Sequence, residues 1–264
     1  MNIGLIIIGD EILSGKRRDA HLPKVIELLG ARGMTLGWAR FEGDDRARIT
    51  AVLGQAVAGG DLVFCCGGIG ATPDDHTRQA AAAALGRPLV LHPQARELIV
   101  QRMRDTAAKQ GQDFDPERPD NLQRLNMGMF PEGAAIIENP YNRIPGFSVG
   151  HLHCMPGFPV MAWPMIEALL DGPYAHLHGA GRMNERSVIV FAAIEAMLTP
   201  LMEAIEATHE GVKVFSLPSV DHPEWGHHVE LGVKGRGEAV DRAYAVLLRA
   251  LRELGVSLGP ELVR

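Results

Sequence analysis

Five consecutive apolar residues, Leu62-Val63-Phe64-Cys65-Cys66, run straight into Gly67-Gly68-Ile69-Gly70 and then into a helical pattern that stops at Gly86. So short an apolar run predicts a strand buried on both faces, as in a parallel sheet covered by helices. The chain before it has the matching form. Residues 3–8 predict a first strand, and a helix follows from an Asp19 cap, with Leu22, Ile26 and Leu29 on one face, to about Gly33. Residues 34–41 predict a second strand, after which Asp44 caps a helix carrying Ile49, Val52, Leu53 and Ala56 at helical spacing. This alternation predicts an α/β fold, a three-layer sandwich around a mostly parallel sheet, with ligands bound beyond the carboxyl ends of the strands.

The glycine turn is where chemistry is expected. Gly67, Gly68 and Gly70 lack the Cβ that would hold a ligand away from the backbone. Thr72 is spaced to cap the next helix, with Pro73 at its N1 position and Asp75 at N3. Capping alone would account for Thr72, Pro73 and Asp75. A glycine loop before a helix N-terminus is also a natural phosphate cradle, because unpaired N–H groups and the positive dipole end both favour an anion. The adjacent carboxylates Asp74 and Asp75 would repel that anion. A divalent cation such as Mg²⁺ resolves the conflict, since hard cations are held by one or two carboxylates together with phosphate oxygens. Two more acidic turns, Gly9-Asp10-Glu11 and Gly43-Asp44-Asp45, fall at or just after strand ends and are expected to face the same crevice.

At 264 residues, 46% of them hydrophobic, two domains with a sizeable core are expected. The formal net charge of −6 argues against a general nucleic-acid binder. The start MNIGLIIIGDE carries no basic leader, and no window approaches the roughly 18 apolar residues of a membrane helix. A soluble cytoplasmic protein without a membrane partner is expected. Cys65, Cys66 and Cys154 form neither a disulfide framework nor a zinc spacing and are read as core thiols. The pairs His151/His153, His176/His178 and His227/His228 lack ligand partners at metal spacing and are read as structural or solvated.

Further along, residues 94–109 predict a helix and residues 112–121, polar with two prolines, a surface loop. Short strands over 134–138 and 147–155, turning near Gly150, predict a late antiparallel addition. Pro156-Gly157-Phe158-Pro159 precedes a helix ending near Leu170. The expected domains are 1–172 and 187–264, joined by a linker over 173–186. The second is a small α+β domain, with strands at 187–191, 212–217 and 228–233 and helices at 193–208 and 239–254.

GDEILSGK at 9–16, GDD at 43–45, GGIGATPDDHTR at 67–78, ALGRPL at 84–89, FPEGA at 130–134 and PGFP at 156–159 together resemble the competence/damage-inducible protein A (CinA) family. That family lies within the wider MoaB/MogA molybdopterin-binding fold, and the resemblance covers roughly the first 170 residues. The later pattern looks like the KH-like domain of CinA relatives. Full-length relatives add an amidase domain acting on nicotinamide mononucleotide, which this chain is expected to lack.

The resemblance implies metal-dependent hydrolysis of ADP-ribose, FAD or a related dinucleotide pyrophosphate. Its alternatives are molybdopterin binding or adenylylation, as in MoaB/MogA proteins, and a nucleotide-binding module without turnover. Asp75 resembles the aspartate that follows the glycine loop throughout the fold family, and Asp44 its second functional aspartate. Asp10, Gly15 and Asp19 match its first turn, while Asp74 and Glu11 match only the CinA branch and favour the pyrophosphatase. On this basis Asp74 and Asp75, with Asp44 or Glu11, are expected to hold Mg²⁺ or a similar cation. Gly67, Gly68 and Gly70, with Thr72, Ser14 and Lys16, would take phosphate oxygens, and Asp10, Glu11 or Asp44 would orient water.

The chain also departs from the family. It has Asn142-Arg143-Ile144 where GTA is usual, Val160-Met161-Ala162 where SEM is usual, and Ala20-His21 where Thr-Asn is usual, which removes polar groups from the site loops. A KH-type GxxG clamp is not evident, as Lys234-Gly235-Arg236-Gly237 has the wrong spacing. Residues 186–264 carry 8 Lys and Arg against 11 Asp and Glu, so no nucleic-acid partner is expected. A dimerisation or lid role suits the second domain better, in a homo-oligomer with a dimer favoured.

Overall fold

The computed structural model describes residues 1–179, 181 and 183–264, and alternation of side chains along two strands sets its layers. Strand β1 (Ile3–Ile8) sends Ile6 and Ile8 to one face and Leu5 and Ile7 to the other. Helices α1 (Asp10–Leu13) and α2 (His21–Gly30) lead to β2 (Trp38–Glu42), and α3 (Arg46–Gly59) leads to β3 (Leu62–Cys66). All five residues of β3 are buried, and β1 pairs in parallel with both β2 and β3. Ile6, Ile8, Val63 and Cys65 meet Ile49, Val52 and Leu53 of α3 in one core. Leu5, Ile7, Phe64 and Cys66 meet Val25, Leu28 and Leu29 of α2 in the other. Each fully buried large apolar side chain stabilises by roughly 1.5–3 kcal/mol relative to exposure, so helices on both faces follow from the strand pattern itself.

Then come α4 (Thr77–Leu85), β4 (Leu89–Leu91), α5 (Pro93–Lys109), α6 (Pro119–Leu125), β5 (Met129–Pro131), β6 (Ala135–Ile137), β7 (Gly146–Val149), β8 (Leu152–Met155) and α7 (Pro159–Asp171). The sheet order is β2-β1-β3-β8-β7-β6. Strand β8 is parallel to β3, while β7 and β6 are antiparallel additions. This is the three-layer α/β sandwich with a mostly parallel sheet. Several details differ from expectation, the second strand spanning Trp38–Glu42 and not 34–41. The stretch 112–121 is not all loop, since α6 opens at Pro119, which fits its first turn. Strands β4 and β5 form a separate antiparallel ribbon of three residues each. Cys65, Cys66 and Cys154 are free and buried. His153 is structural: its Nδ1 lies 2.7 Å from Ser148 Oγ and its Nε2 2.7 Å from Tyr174 Oη.

The chain divides into two units, Met1–Ala180 and Gly181–Arg264. The second contains β9 (Asn184–Phe191), α8 (Glu195–Thr208), β10 (Lys213–His222), β11 (Gly226–Gly235), α9 (Ala239–Glu253) and β12 (Ser257–Val263). Its antiparallel sheet runs β10-β11-β9-β12, and Val188, Val190, Leu231 and Val233 pack with Leu198, Tyr244 and Leu247. Within the segment read as a linker, Ala175–Leu177 is a 3₁₀ turn and β9 begins at Asn184; Ala180 and Arg182 lie outside the described residues. Among the described residues no helix is long and apolar enough to cross a membrane.

Candidate functional site

The turns after β1, β2, β3 and β8 converge on one crevice of about 450 Å³. Gly9, Glu11 and Asp44 line it, with Gly67 to Thr72, Asp74 and Asp75 from the third turn and Pro156, Gly157 and Phe158 from the fourth. Glycine suits the places where these turns touch, and at Gly67 no other residue fits. A Cβ on Gly67, at φ 111°, would sit 2.2 Å from the Ile8 carbonyl oxygen, and one on Gly157 would sit 3.3 Å from Gly67 Cα.

The glycine loop owes its polarity to the start of α4. Thr77 Oγ1 donates to Gly67 O at 2.9 Å, Thr77 N to Gly68 O at 2.9 Å, and Arg78 Nη2 to Gly70 O at 2.6 Å. In a planar trans peptide the next N–H points away from the carbonyl. The N–H groups of Gly68, Ile69 and Ala71 are therefore turned away from α4, and among the described residues none has a protein acceptor. Three carbonyls that would repel an anion are withdrawn, and three donors on residues lining the crevice are left over.

Two expected caps are corrected here. Helix α4 starts at Thr77, with no side-chain cap, so Thr72 and Asp75 do not cap it. They close a free turn instead: Asp75 N donates to Thr72 O at 3.1 Å, while Asp75 Oδ2 accepts from Thr72 N at 2.8 Å and Thr72 Oγ1 at 2.5 Å. Gly70 allows this closure, since a Cβ there would lie 2.5 Å from Asp75 Oδ2. Nor does Asp44 cap α3. Asp45 does, accepting from Arg48 N at 2.8 Å. Asp44 is tied across to the first turn, where its Oδ2 accepts from Asp10 N at 2.9 Å and its own N donates to Asp10 Oδ1 at 3.2 Å.

The carboxylates crowd one another. Burial raises the Asp44 carboxyl above the ordinary aspartate value, and the negative charges of Asp10, Glu11 and Asp74 add to the rise against one main-chain hydrogen bond from Asp10. Asp74 is exposed and held below the ordinary value, first by the Thr72 hydroxyl and then by its own N–H; in the hydrogen-bond geometry that hydroxyl points to Asp75. Among the described residues no three His, Cys, Asp or Glu side chains are grouped to hold a metal ion by themselves. The donor set fits a hard cation held by one or two carboxylates and completed by ligand oxygens, and the strain on Asp44 is what such a cation would relieve.

Asp10 sits at the edge of the site through its bonds to Asp44. Ser14 is the residue after α1, its N–H bonded to Asp10 O, and neither Ser14 nor Lys16 lines the crevice. Arg17, the next basic residue, does line it. His21, one of the departures from the CinA pattern, is buried, and its Nε2 donates to Gly157 O at 2.9 Å, fastening α2 to the fourth turn. At the start of α2 the N-cap position is Ala20, and Asp19, one residue earlier, accepts from His21 N and Leu22 N. Besides the acids, the lining of the crevice includes the apolar residues Ile69, Met127, Ile144, Phe158 and Met161. Asn142 also lines the crevice, but its amide is spent on Asn139, Ile144 N and Met161 Sδ. Neither Arg17 nor these apolar residues stand out in the sequence, because nothing in the local spacing marks residues gathered from 127, 144, 158 and 161.

A model of the family described as probable molybdopterin binding domain matches residues 4–176. A CinA-like protein of Geobacter sulfurreducens is 33% identical over 219 residues, covering 81% of this chain and 51% of the relative. Another of Anaeromyxobacter dehalogenans is 33% identical over 164 residues, covering 61% and 38%. The chain thus spans about half or less of the length of these curated relatives. The solved structure of the protein CinA from Thermoplasma acidophilum, titled as of unknown function, superposes with a TM-score of 0.55 at 26% identity, covering 65% of this chain and 98% of that one.

Proposed function

This chain belongs to the molybdopterin-binding domain family, its first unit being of the CinA and MoaB type, and from that premise we propose that it cleaves a dinucleotide pyrophosphate such as ADP-ribose or FAD with the help of a divalent cation. The observation that carries this reading is the set of N–H groups at Gly68, Ile69 and Ala71, left without acceptors by the inward turn of their neighbouring carbonyls. Such donors match non-bridging phosphate oxygens.

In this reading the diphosphate lies on the glycine loop, with Arg17 at its outer side and the nucleotide's flat ring against Phe158, Met161 and Ile144. Asp74 and Asp75, with Asp44 or Glu11, hold a cation such as Mg²⁺, which when bound neutralises charge developing on the phosphoryl oxygens and on the leaving phosphate. The Asp75 oxygen engaged by Thr72 fixes the carboxylate, and its other oxygen is the one available for that purpose. Of Asp44, pinned by Asp10, and Glu11, the carboxylate not engaged by the cation orients water for attack in line with the bridging oxygen and accepts its proton. The new P–O bond forms as the bridging P–O bond breaks, so ADP-ribose yields AMP and ribose 5-phosphate.

The test is AMP release from ADP-ribose and from FAD, with Mg²⁺ and with chelator, in the wild type and in Asp75→Ala. Turnover that requires the metal and falls at least a hundredfold in Asp75→Ala is expected; metal-independent turnover, or full activity in the variant, contradicts the mechanism. A pterin-type ligand is the second reading, favoured by the family description itself. Tight molybdopterin binding without dinucleotide cleavage would select it.

A further inference from the structure

Arg78, the second residue of α4, is 3% exposed. One of its nitrogens, Nη2, bonds to Gly70 O, while Nε and Nη1 are buried without any hydrogen-bond partner. Among the described residues the one carboxylate acting on it is Asp75, whose Oδ2 is already engaged by Thr72. Burial accordingly lowers Arg78 from the ordinary arginine value.

A guanidinium buried with two unsatisfied nitrogens and no ion-pair partner is costly. Packing does not call for it. The other buried positions on the same helix are Thr77, whose hydroxyl is spent on Gly67 O, and Ala80, Ala81 and Ala82, so an apolar side chain of similar length would fill the space without the charge. What the arginine does provide is an orientation and a potential. By drawing Gly70 O inward it turns the Ala71 N–H away, and Gly70 and Ala71 both line the crevice. Its positive charge is held against Gly70, within the stretch of main chain whose donors are unused, in surroundings poor in solvent, where a charge acts strongly.

The geometry points to Arg78 as a positioning residue and buried counter-charge for an anionic ligand: it holds the Gly70–Ala71 peptide donor-outward, and the charge that balances its own is a phosphate group on the far side of the loop, acting through the main chain and not by direct contact. This rests on the phosphate reading above. It adds that affinity for the anion, rather than for the rest of the ligand, is set from below the loop by a residue that does not line the crevice.

The full chain is titrated calorimetrically with two probes, inorganic pyrophosphate and ADP-ribose, each with Mg²⁺, as wild type, Arg78→Met and Arg78→Lys, and each variant's Tm is recorded. The methionine variant is expected to bind both probes at least tenfold more weakly and by the same factor, because both share the diphosphate. Its Tm is expected to stay within about 3 °C of wild type, since one main-chain hydrogen bond is lost but an unpaired buried charge goes with it. The lysine variant restores most of the affinity. Wild-type affinities in Arg78→Met overturn the assignment alone. So does a weakening that lysine does not rescue and that comes with a large fall in Tm or failure to fold, for the arginine would then be a purely structural element. A wild type that binds neither probe overturns the phosphate reading, and this inference with it.

Discussion

Two adjacent aspartates divide their labour by a hydrogen bond. The triplet Gly43-Asp44-Asp45 shows two residues suited to a helix cap, and the sequence cannot choose between them because both satisfy the same spacing rule to within a residue. The fold assigns the cap to Asp45 and leaves Asp44 against Asp10, partly desolvated and facing like charges. A carboxyl raised in this way disfavours its own ionised form in the folded protein. Asp44→Asn is therefore expected to raise Tm slightly, as the amide oxygen can still accept from Asp10 N, while Mg²⁺-dependent turnover drops at least tenfold. The sign with pH follows: as pH falls, Asp44 takes up its proton at a higher pH than an ordinary aspartate does, so the Mg²⁺ concentration needed for half-maximal rate should begin to climb there. A rate profile that is flat down to the ordinary aspartate range would contradict this. Thr72 and Asp75 give a similar lesson. Their S/T-x-x-D spacing was legible and the bond from Thr72 N to the Asp75 carboxylate does form, but Asp75 N donates to the Thr72 carbonyl and not to its hydroxyl, so the spacing fixes only the closure of a turn, and the helix begins two residues beyond Asp75.

Among the elements, those with a strong apolar period were readable and those held by their neighbours were not. Strands β1 and β3 were visible as runs of buried residues with the bounds the structure gives them. By contrast β4 and β5 are three residues long and exist because they pair with one another. Strand β12 carries Gly259 and Pro260, which argue against a strand interior, and it is tolerated because β12 lies at the sheet edge beside β9. Helix α3 offers a clean test of which aspartate caps it. Asp45→Ala should cost about 1 kcal/mol of stability in urea unfolding and leave pyrophosphate affinity unchanged. A loss well under ~0.3 kcal/mol, or a parallel loss of affinity, would mean that the two aspartates do not have separate roles.

At the scale of the whole molecule, every residue lining the crevice belongs to the first unit, whose sheet also buries an ionisable group. His153 is packed between Ser148, Phe64 and Tyr174, and burial, with a smaller effect of His151, depresses its pKa to about 4. The unfolded chain protonates this histidine near its ordinary value of 6.5, so the stability it contributes is complete above that pH and declines as pH drops from 6.5 towards 4. The loss between pH 7 and pH 4.5 should be about 2 kcal/mol, measured by urea unfolding at those two pH values and removed in His153→Gln. The carboxyl-end location of the site was legible from the strand-turn-helix order. The identity of its apolar lining was not, because Met127, Ile144, Phe158 and Met161 come together only once β5 to β8 are in place.

The most direct measurement is a crystal structure with ADP-ribose and Mg²⁺ bound. The expected result is a diphosphate whose oxygens lie within hydrogen-bonding distance of the N–H groups of Gly68, Ile69 and Ala71, with the cation between it and Asp74, Asp75 or Asp44. A diphosphate bound elsewhere, or one seated in the crevice with those N–H groups still unoccupied, would contradict the proposed role of the glycine loop.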